Sequence, residues 1–546
     1  MLKSSGAMAA ATLTSRLLGM VREIVYAHFM GDTWVAGVFK FAFQIPNLFR
    51  RLLGEGALTA AFIPVFKEKE KRQGEKEMWR AANAVVSGLV IAASAIIGLV
   101  MLGLSLVLAA HHFIPKTELT LQLLRVMFPY MLFVCLAAAF MGMLNARGHF
   151  FIPALGAAAL NVVMIASVLW LAPKFGTGLP PELRLPRQIF ALAYGVLAAG
   201  VAQAAFQLPT LWRDGFRYQW ISPWGNETVR LVVTRMIPGT IGVAAFQINV
   251  ALVGFLAIYV NPQINASFDY AVRLMELPQG MFGISLATYL LTTLSALAVD
   301  KNYPEFRATL RHGLGTLLFA NLIAAILLVV LAEPIVRLLF EHGDKFTAAS
   351  TDRAAFALQC LAPGLVAFSS VNVLARAFFA LGDTKTPMKV SIFCLTLNML
   401  LAAAAILPFE PGGLGLTDTT LHWIHQAPKN QEWGQGGLGL ANTMTSVCNA
   451  GLLAFALRRK LGKLEMAPLR ATFFPLACSG LFAALVAWAA WNSWEYRIGH
   501  ATIALEIGAV FVPAGIAALV YGLAALALKV PAAKEMLDFA LAKFRK

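Results

Sequence analysis

The chain has 546 residues and a formal net charge of +16, and 59% of its residues are hydrophobic while only 13% are charged. Because an average soluble domain carries roughly 25% charged residues, this composition excludes a water-soluble protein of this size. It also excludes a disordered chain, which would need few hydrophobic residues. The remaining class is an all-α integral membrane protein that crosses the bilayer many times.

A helix needs about 20 apolar residues to cross the hydrocarbon core of a membrane. Fourteen stretches of the chain meet this requirement. In chain order they are 7–29, 34–53, 82–110, 121–145, 152–172, 188–211, 232–259, 265–298, 312–332, 354–381, 387–408, 435–457, 471–491 and 501–528. The sequence therefore predicts fourteen transmembrane helices.

Lys and Arg in the connecting segments are distributed unequally between the two sides of the membrane. Twenty-seven fall on the side of the N-terminus and nine on the other side. Since cytoplasmic segments carry an excess of basic residues, this alternation predicts an even number of spans with both termini in the cytoplasm. The positive charge is thus a topology signal, and no nucleic-acid partner is expected.

A spacing of prolines and small residues recurs along the chain. Pro129, Ala146, Gly148 and Pro153 are matched, each 234 residues later, by Pro363, Ala380, Gly382 and Pro387. Chance is the alternative, because Pro and Gly are common in membrane turns. A parallel repeat would give two pseudo-symmetric six-helix lobes with a cleft between them, as in many transporters. The predicted domains are an N-terminal lobe at 1–229, a C-terminal lobe at 230–465, two extra helices at 466–529 and an amphipathic cytoplasmic tail at 530–546.

Apart from Arg235 and Lys389 at the cytoplasmic ends, which are counted with the connecting segments, eight basic residues lie inside the predicted spans. A charge there costs about 3 kcal/mol or more unless it meets a partner or a polar cavity. The eight residues are Arg16, Arg22, Lys40, Arg50, Arg51, Arg125, Arg273 and Arg376. Arg predominates, and its planar guanidinium binds phosphate through two parallel hydrogen bonds. A net-positive arginine cluster in a cleft predicts a site for a phosphate or diphosphate head group. The alternatives are snorkelling to the interface for Arg50 and Arg51, and an intrahelical pair between Arg273 and Glu276.

Three segments carry a resemblance to a known family. Residues 15–23 read SRLLGMVRE, residues 45–57 read IPNLFRRLLGEGA, and residues 273–280 read RLMELPQG. Together they resemble the MurJ (MviN) lipid II flippases of the multidrug/oligosaccharidyl-lipid/polysaccharide exporter superfamily. The resemblance covers nearly the whole chain, including fourteen spans arranged as two six-helix lobes plus two.

The resemblance implies a flippase that moves lipid II, the undecaprenyl-diphosphate-linked disaccharide-pentapeptide, from the inner to the outer leaflet of the bacterial cytoplasmic membrane. This transport supplies peptidoglycan synthesis and so supports cell shape. The implied partners are lipid II and membrane lipids, and other cell-wall synthesis proteins are candidates. No enzymatic activity and no cofactor are implied, and spans 13 and 14 are expected to form a groove for the lipid tail.

The family's functional residues are carried over by position. They fall on Arg16, Arg22, Asn47, Arg50, Glu55, Arg273 and Glu276 as substrate-binding residues, with no catalytic or metal-binding residue. The chain departs from some relatives at Gly37 and Val272, where those relatives carry acidic residues, and Asp269 lies one turn before Arg273 as a candidate replacement. Some relatives also bind sodium through carboxylates on spans 7 and 11, but 236–259 and 387–408 contain no Asp or Glu.

The predicted mechanism is alternating access. The arginines would pair with the diphosphate inside the cleft while the prenyl tail stays in the lipid. Two other transporters remain open: a flippase for another prenyl-diphosphate-linked glycan, and a multidrug antiporter of the same superfamily, which would need an intramembrane acid. A membrane glycosyltransferase is a further alternative and would need a catalytic carboxylate, yet no constellation of Asp and Glu stands out.

Overall fold

The computed structural model describes residues 2–49, 57–149, 151–406, 433–462 and 467–544, and within these ranges every regular element is a helix. The first eleven α-helices are α1 Leu2–Met30, α2 Trp34–Phe49, α3 Ala57–Gln73, α4 Glu75–Ala110, α5 Pro115–Met127, α6 Tyr130–Ala146, α7 Phe151–Ala166, α8 Ala172–Phe175, α9 Pro181–Ala205, α10 Leu208–Arg213 and α11 Glu227–Val260. A π-helical segment, Ser167–Leu171, joins α7 to α8.

Eleven more α-helices follow. They are α12 Pro262–Pro278, α13 Ser285–Val299, α14 Tyr303–Val330, α15 Ala332–Phe340, α16 Ala348–Leu361, α17 Leu365–Ala380, α18 Lys385–Ile406, α19 Trp433–Leu461, α20 Ala467–Arg497, α21 Ile503–Ala527 and α22 Pro531–Phe544. A π-helical segment, Gln279–Ile284, joins α12 to α13, and a 3₁₀ turn, Ala362–Gly364, joins α16 to α17.

Nine helical segments within the described ranges are long and apolar enough to cross a membrane, or ten if the bent pair α5–α6 is one span. The 42° bend between these two helices falls at Pro129, which has no N–H to continue the helical hydrogen bonds. The chain is therefore a multi-pass membrane protein of the all-α class. Each of the fourteen predicted spans overlaps a helix, and the number of membrane crossings stays a prediction.

The chain divides into two compact units, Met1–Ala266 and Ser267–Lys546. The predicted lobe boundary at 229/230 was placed by the sequence repeat and not by packing. The domain boundaries given by the repeat therefore stay a prediction.

Besides a smaller cluster around Phe128 and Cys135, the described part of the first unit has two apolar cores. One lies where α1, α2, α5, α7 and α9 meet, and its largest buried side chains are Phe39 and Tyr130. The other lies under α3, α4 and α6 and is built on Phe66 and Trp79. The second half of α4 instead leaves Leu99 and neighbouring leucines exposed, as expected for a helix that faces lipid.

The second unit is built on α13, α14, α17 and α19, with Phe306 and Phe378 fully buried between them. Glycine allows α19 to pack closely on α16, because a Cβ at Gly436 would lie 2.2 Å from the ring of Phe356. The last two long helices, α20 and α21, pack on each other and on α14. Tyr521 fixes α21 there by donating a 3.0 Å hydrogen bond to the carbonyl of Phe319.

The two members of the sequence repeat end their helices in the same way. Gly148 after α6 and Gly382 after α17 both have positive φ, 88° and 72°. In each turn the next N–H returns to the carbonyl five residues earlier, from His149 to Leu144 at 2.8 Å and from Asp383 to Phe378 at 2.9 Å. This left-handed glycine cap satisfies the last helical carbonyls. The 234-residue spacing thus relates two turns of equal backbone geometry.

Candidate functional site

Arg22 on α1 is held by two side chains of the first unit. Its Nη1 donates to Asn161 Oδ1 at 3.0 Å, and its Nη2 donates to Glu23 Oε1 at 2.6 Å. The guanidinium carbon also lies 5.5 Å from the centre of the Tyr26 ring. The Arg22 side chain is 13% exposed and that of Glu23 is 4% exposed. These charge-assisted hydrogen bonds fix the guanidinium and stabilise it away from bulk water.

Asn161 joins α7 to α1 and was not predicted from the sequence. Besides accepting from Arg22, it donates from Nδ2 to the carbonyl of Ser15 at 3.1 Å. Gly19 also faces Asn161, since a Cβ there would make ordinary van der Waals contact with Asn161 Nδ2 at 3.7 Å. The one available signal was a single amide in the apolar stretch 154–166.

Arg16 lies six residues before Arg22 on α1, which corresponds to about 9 Å along the helix axis. Its side chain is half-buried. In the part of the chain that the structure describes, no carboxylate comes within ion-pair distance of it. Arg16 therefore differs from Arg22 in having a guanidinium that is partly accessible and not neutralised by a described neighbour.

Arg273 on α12 lies between two carboxylates of its own helix in the second unit. Its Nη1 is 3.0 Å from Glu276 Oε2, and its Nη2 is 3.8 Å from Asp269 Oδ1. The spacings i, i+3 and i, i+4 place all three side chains on one helix face. The intrahelical pair that was the alternative for this arginine is therefore formed, and its side chain remains 35% exposed. A replacement role for Asp269 stays a prediction.

Arg22 and Arg273 each lie beside carboxylates of their own helices, and the net-positive cluster expected from the sequence stays a prediction. In the first unit Glu23 balances Arg22, and in the second unit Asp269 and Glu276 outnumber Arg273. An anionic ligand must therefore compete with these carboxylates for the guanidinium groups.

The helix that carries Arg273 changes form directly after it. α12 ends at Pro278, and the π-helical segment Gln279–Ile284 follows. A π-helical segment marks a place where the regular helical hydrogen bonds are interrupted. Arg273 and Glu276 thus lie within one to two turns of a local break.

Gly37 departs from the acidic residue of some relatives for a steric reason. A Cβ at this position would lie 2.0 Å from the carbonyl oxygen of Pro262. The amide of Asn265 also donates to the Gly37 carbonyl at 3.2 Å. Backbone contact between α2 and the start of α12 thus leaves no room for a side chain here.

The other predicted residues are placed as follows. Asn47 lies half-buried in the last turn of α2. Lys40 of the same helix donates to the carbonyl of Ala266 at 3.4 Å. Arg50 and Glu55 lie outside the described residues. On α18, Asn398 donates to Thr445 Oγ1 at 3.2 Å and so links α18 to α19.

Comparison with known proteins gives consistent matches. Residues 26–427 match the family model described as "Lipid II flippase MurJ". A "Probable lipid II flippase MurJ" of Vibrio cholerae is 35% identical over 435 residues, which are 77% of this chain and 80% of the relative. A protein of the same description from Bdellovibrio bacteriovorus is 32% identical over 539 residues, 95% of this chain and 93% of the relative.

Two solved structures share the fold. One is described as "Lipid II flippase MurJ, inward closed conformation", with a TM-score of 0.73, 20% identity and coverage of 94% of this chain and 98% of that chain. The other is an inward-facing multidrug resistance MATE family transporter, with a TM-score of 0.63, 14% identity and coverage of 84% and 98%. The family model covers most of the chain, and the relatives match at 30% identity or better over most of their length. The chain belongs to the MurJ family of lipid II flippases.

Proposed function

We propose that this chain translocates lipid II from the inner to the outer leaflet by alternating access. The curated relatives that match most of its length are named as lipid II flippases or probable ones. At the level of residues, the proposal rests on the environment of Arg22 and Arg273. Both lie in predicted spans, and both are held by side-chain hydrogen bonds or ion pairs while retaining some exposure.

The physical problem is the diphosphate, because charged oxygens cannot enter hydrocarbon without a large loss of hydration. The prenyl tail can stay in the lipid throughout. In our proposal Arg16, Arg22 and Arg273 bind the phosphate oxygens, while Asn47, Arg50, Glu55 and Glu276 complete the substrate-binding set. Glu23 orients Arg22, and Asp269 and Glu276 orient Arg273.

The carboxylates give the proposed site a means of release. A phosphate oxygen that binds Arg273 replaces an existing bond to Glu276, so the net gain is smaller than for an isolated guanidinium. A ligand can shift a conformational equilibrium only by the difference between its affinities for the two states. If Glu276 pairs with Arg273 again in one conformational state and not in the other, the affinity for the head group differs between the two states. The head group is then released on one side of the membrane.

We further propose that the protein resides in the bacterial cytoplasmic membrane with both termini in the cytoplasm, and that it moves its substrate without covalent change. The 27-to-nine distribution of basic residues supports this orientation. The proposed lobes are 1–229 and 230–465, and the shared caps at Gly148 and Gly382 support a repeat. The proposed tail groove at 466–529 is supported by apolar side chains exposed on α20 and α21, such as Phe474 and Phe511.

The test is the accessibility of labelled lipid II at the outer leaflet of cells that depend on this protein alone for transport. Rapid inactivation of the protein should remove the outer-leaflet signal while total lipid II rises. An Arg273→Ala variant produced at normal levels should not restore the signal, whereas Arg80→Ala, which changes an exposed arginine on α4, should restore it. An unchanged outer-leaflet signal after inactivation would rule out the proposed function.

The same assay separates the alternatives. A flippase for another prenyl-diphosphate-linked glycan would leave lipid II exposure unchanged and would block the outer-leaflet appearance of that glycan. The likeness to the MATE transporter concerns the fold alone. A multidrug antiporter would change drug accumulation and not lipid II exposure.

A further inference from the structure

The chain from the last turn of α10 to shortly before α11 combines exposed aromatic rings with arginines. It comprises residues 212–224, WRDGFRYQWISPW, and is called the strap here. Trp212, Tyr218, Trp220 and Trp224 are each between 50% and 71% exposed. Four large rings exposed within thirteen residues form an unusual surface for a water-facing loop.

The strap is held against the first unit by its inward-facing groups. Phe216 is fully buried, with its ring centre 5.5 Å from that of Trp79 and 6.1 Å from that of Phe140. Asn83 of α4 donates to the carbonyl of Arg217 at 2.9 Å. One buried ring therefore anchors the segment, and the exposed rings lie on a fixed backbone.

A second set of contacts fixes the strap at one level of α4. Ser87 Oγ shares a 3.2 Å hydrogen bond with Tyr218 Oη and accepts from the N–H of Ile221 at 3.4 Å. A Cβ at Gly88 would lie 3.3 Å from the Pro223 side chain, so the strap passes close to the helix there.

That level corresponds to a membrane interface. From Ser87 to the end of α4 at Ala110 the helix rises about 35 Å, slightly more than the roughly 30 Å hydrocarbon core. Between these points Leu99, Leu102 and Leu106 are exposed, as expected for a lipid-facing stretch. The strap therefore attaches where α4 leaves the hydrocarbon, on the side that the basic-residue bias predicts to be cytoplasmic.

The strap and the following turns of α11 also present positive charge. Arg213 and Arg230 are exposed and have no carboxylate within ion-pair distance among the described residues. The strap contains one acidic residue, Asp214, whose Oδ2 lies 3.0 Å from His149 Nε2 and 3.9 Å from Arg147 Nε. Within the described ranges these two arginines thus have no carboxylate partner, and Asp214 is already paired with His149.

We propose that the strap docks in the head-group layer of the inner leaflet and binds anionic phospholipid head groups. Trp and Tyr are enriched at membrane interfaces because their amphipathic rings suit the head-group region. Arginines beside them are attracted to anionic lipids. The adjacent lipid-facing leucines of α4 favour this occupant over a cytoplasmic protein, and the proposal does not depend on the transported substrate.

The first test locates the rings in nanodiscs that contain the full chain. Trp220→Phe/Trp224→Phe is compared with the unsubstituted protein, and the difference gives the emission of these two residues. That emission should be lost in nanodiscs of lipids brominated in the upper acyl chain and should resist aqueous iodide. Emission that iodide quenches and bromine does not would place the strap in water, as expected for a protein-docking surface, and would overturn the proposal.

The second test measures the anionic preference by native mass spectrometry of the purified chain in mixed phosphatidylglycerol and phosphatidylcholine. Arg213→Gln/Arg230→Gln should reduce the retained ratio of phosphatidylglycerol to phosphatidylcholine by about fivefold for each arginine. The matched control Arg72→Gln/Arg80→Gln changes exposed arginines that already face Glu68 and Glu77, and it should keep the ratio. Equal ratios in both variants and the unsubstituted chain would overturn the binding of anionic head groups.

Discussion

The guanidinium of Arg22 donates a 3.0 Å hydrogen bond to the side-chain carbonyl of Asn161, and the two residues are 139 positions apart. Asn161 also holds the carbonyl of Ser15, so a single amide connects the arginine to the backbone of its own helix. This contact orients a charge within a predicted span without neutralising it. Glu23 supplies the neutralising partner separately.

Asn161→Leu should impair lipid II transport although it keeps the side-chain size. A hydrogen bond to a charged group contributes about 1.5–3 kcal/mol, which corresponds to a loss of about tenfold or more in a step that needs this arginine in place. The rate of lipid II appearance at the outer face of proteoliposomes measures the effect. Asn442→Leu, which removes an amide bonded only to the Leu438 carbonyl of its own helix α19 in the described structure, should transport normally. Equal rates for the two variants would contradict the role of Asn161.

Arg273→Ala should abolish complementation of a depleted strain, and Arg273→Lys should retain only part of the activity. Lysine keeps the charge but cannot form two parallel hydrogen bonds with one phosphate group. It would also contact Glu276 and Asp269 as a point charge. Growth after depletion and the amount of protein in the membrane are measured together. Full rescue by either variant would contradict the proposed role of the guanidinium.

Asp383 and Lys460 form a 2.6 Å ion pair in the turn after α17. The Lys460 ammonium, together with the Thr386 N–H, lowers the pKa of the Asp383 carboxyl from 3.8 to about 2. A lowered pKa stabilises the fold above the ordinary value of the carboxyl, and this contribution is lost as the pH falls towards 2. Asp383→Asn should therefore lower the melting temperature at neutral pH, with a deficit that shrinks below pH 4. A deficit independent of pH, or one equal to that of the exposed control Asp300→Asn, would contradict this account.

Glu333 on α15 is expected to behave in the opposite way. Burial raises the pKa of its carboxyl, the Arg337 guanidinium lowers it, and Asp352, Glu495 and Glu341 raise it further. A raised pKa in the fold disfavours the ionised form, so stability is full at low pH and declines as the pH rises through the folded value. Glu333→Gln should melt at a higher temperature than the unsubstituted protein at pH 8 and at the same temperature at pH 4. A lower melting temperature at pH 8 would show that the ion pair with Arg337 outweighs burial.

The sequence predicts the helices well because a membrane helix is specified locally, by a run of apolar residues. It also predicts the pair between Arg273 and Glu276, since residues three apart on a helix are neighbours wherever the helix lies. The i, i+4 contact of Asp269 with Arg273 follows from the same rule. These parts of the fold and site need no knowledge of how helices pack.

Contacts between distant helices could not be predicted in the same way. Asn161 meets Arg22 because α7 packs against α1, and one sequence without a packing model does not give that neighbour. The exclusion of a side chain at Gly37 depends on the backbone of Pro262, which lies 225 positions later in the chain.

In the proposed mechanism, arginines in the predicted spans bind the diphosphate of a lipid-linked cargo. The most direct measurement is the affinity of the purified chain for lipid II and for its undecaprenyl alcohol counterpart without phosphate, compared with Arg22→Ala and Arg273→Ala variants. The account predicts that the unsubstituted chain prefers the diphosphate lipid and that each variant loses about tenfold or more of that preference, as expected for a charged hydrogen bond. A preference that is the same in all three proteins would contradict it.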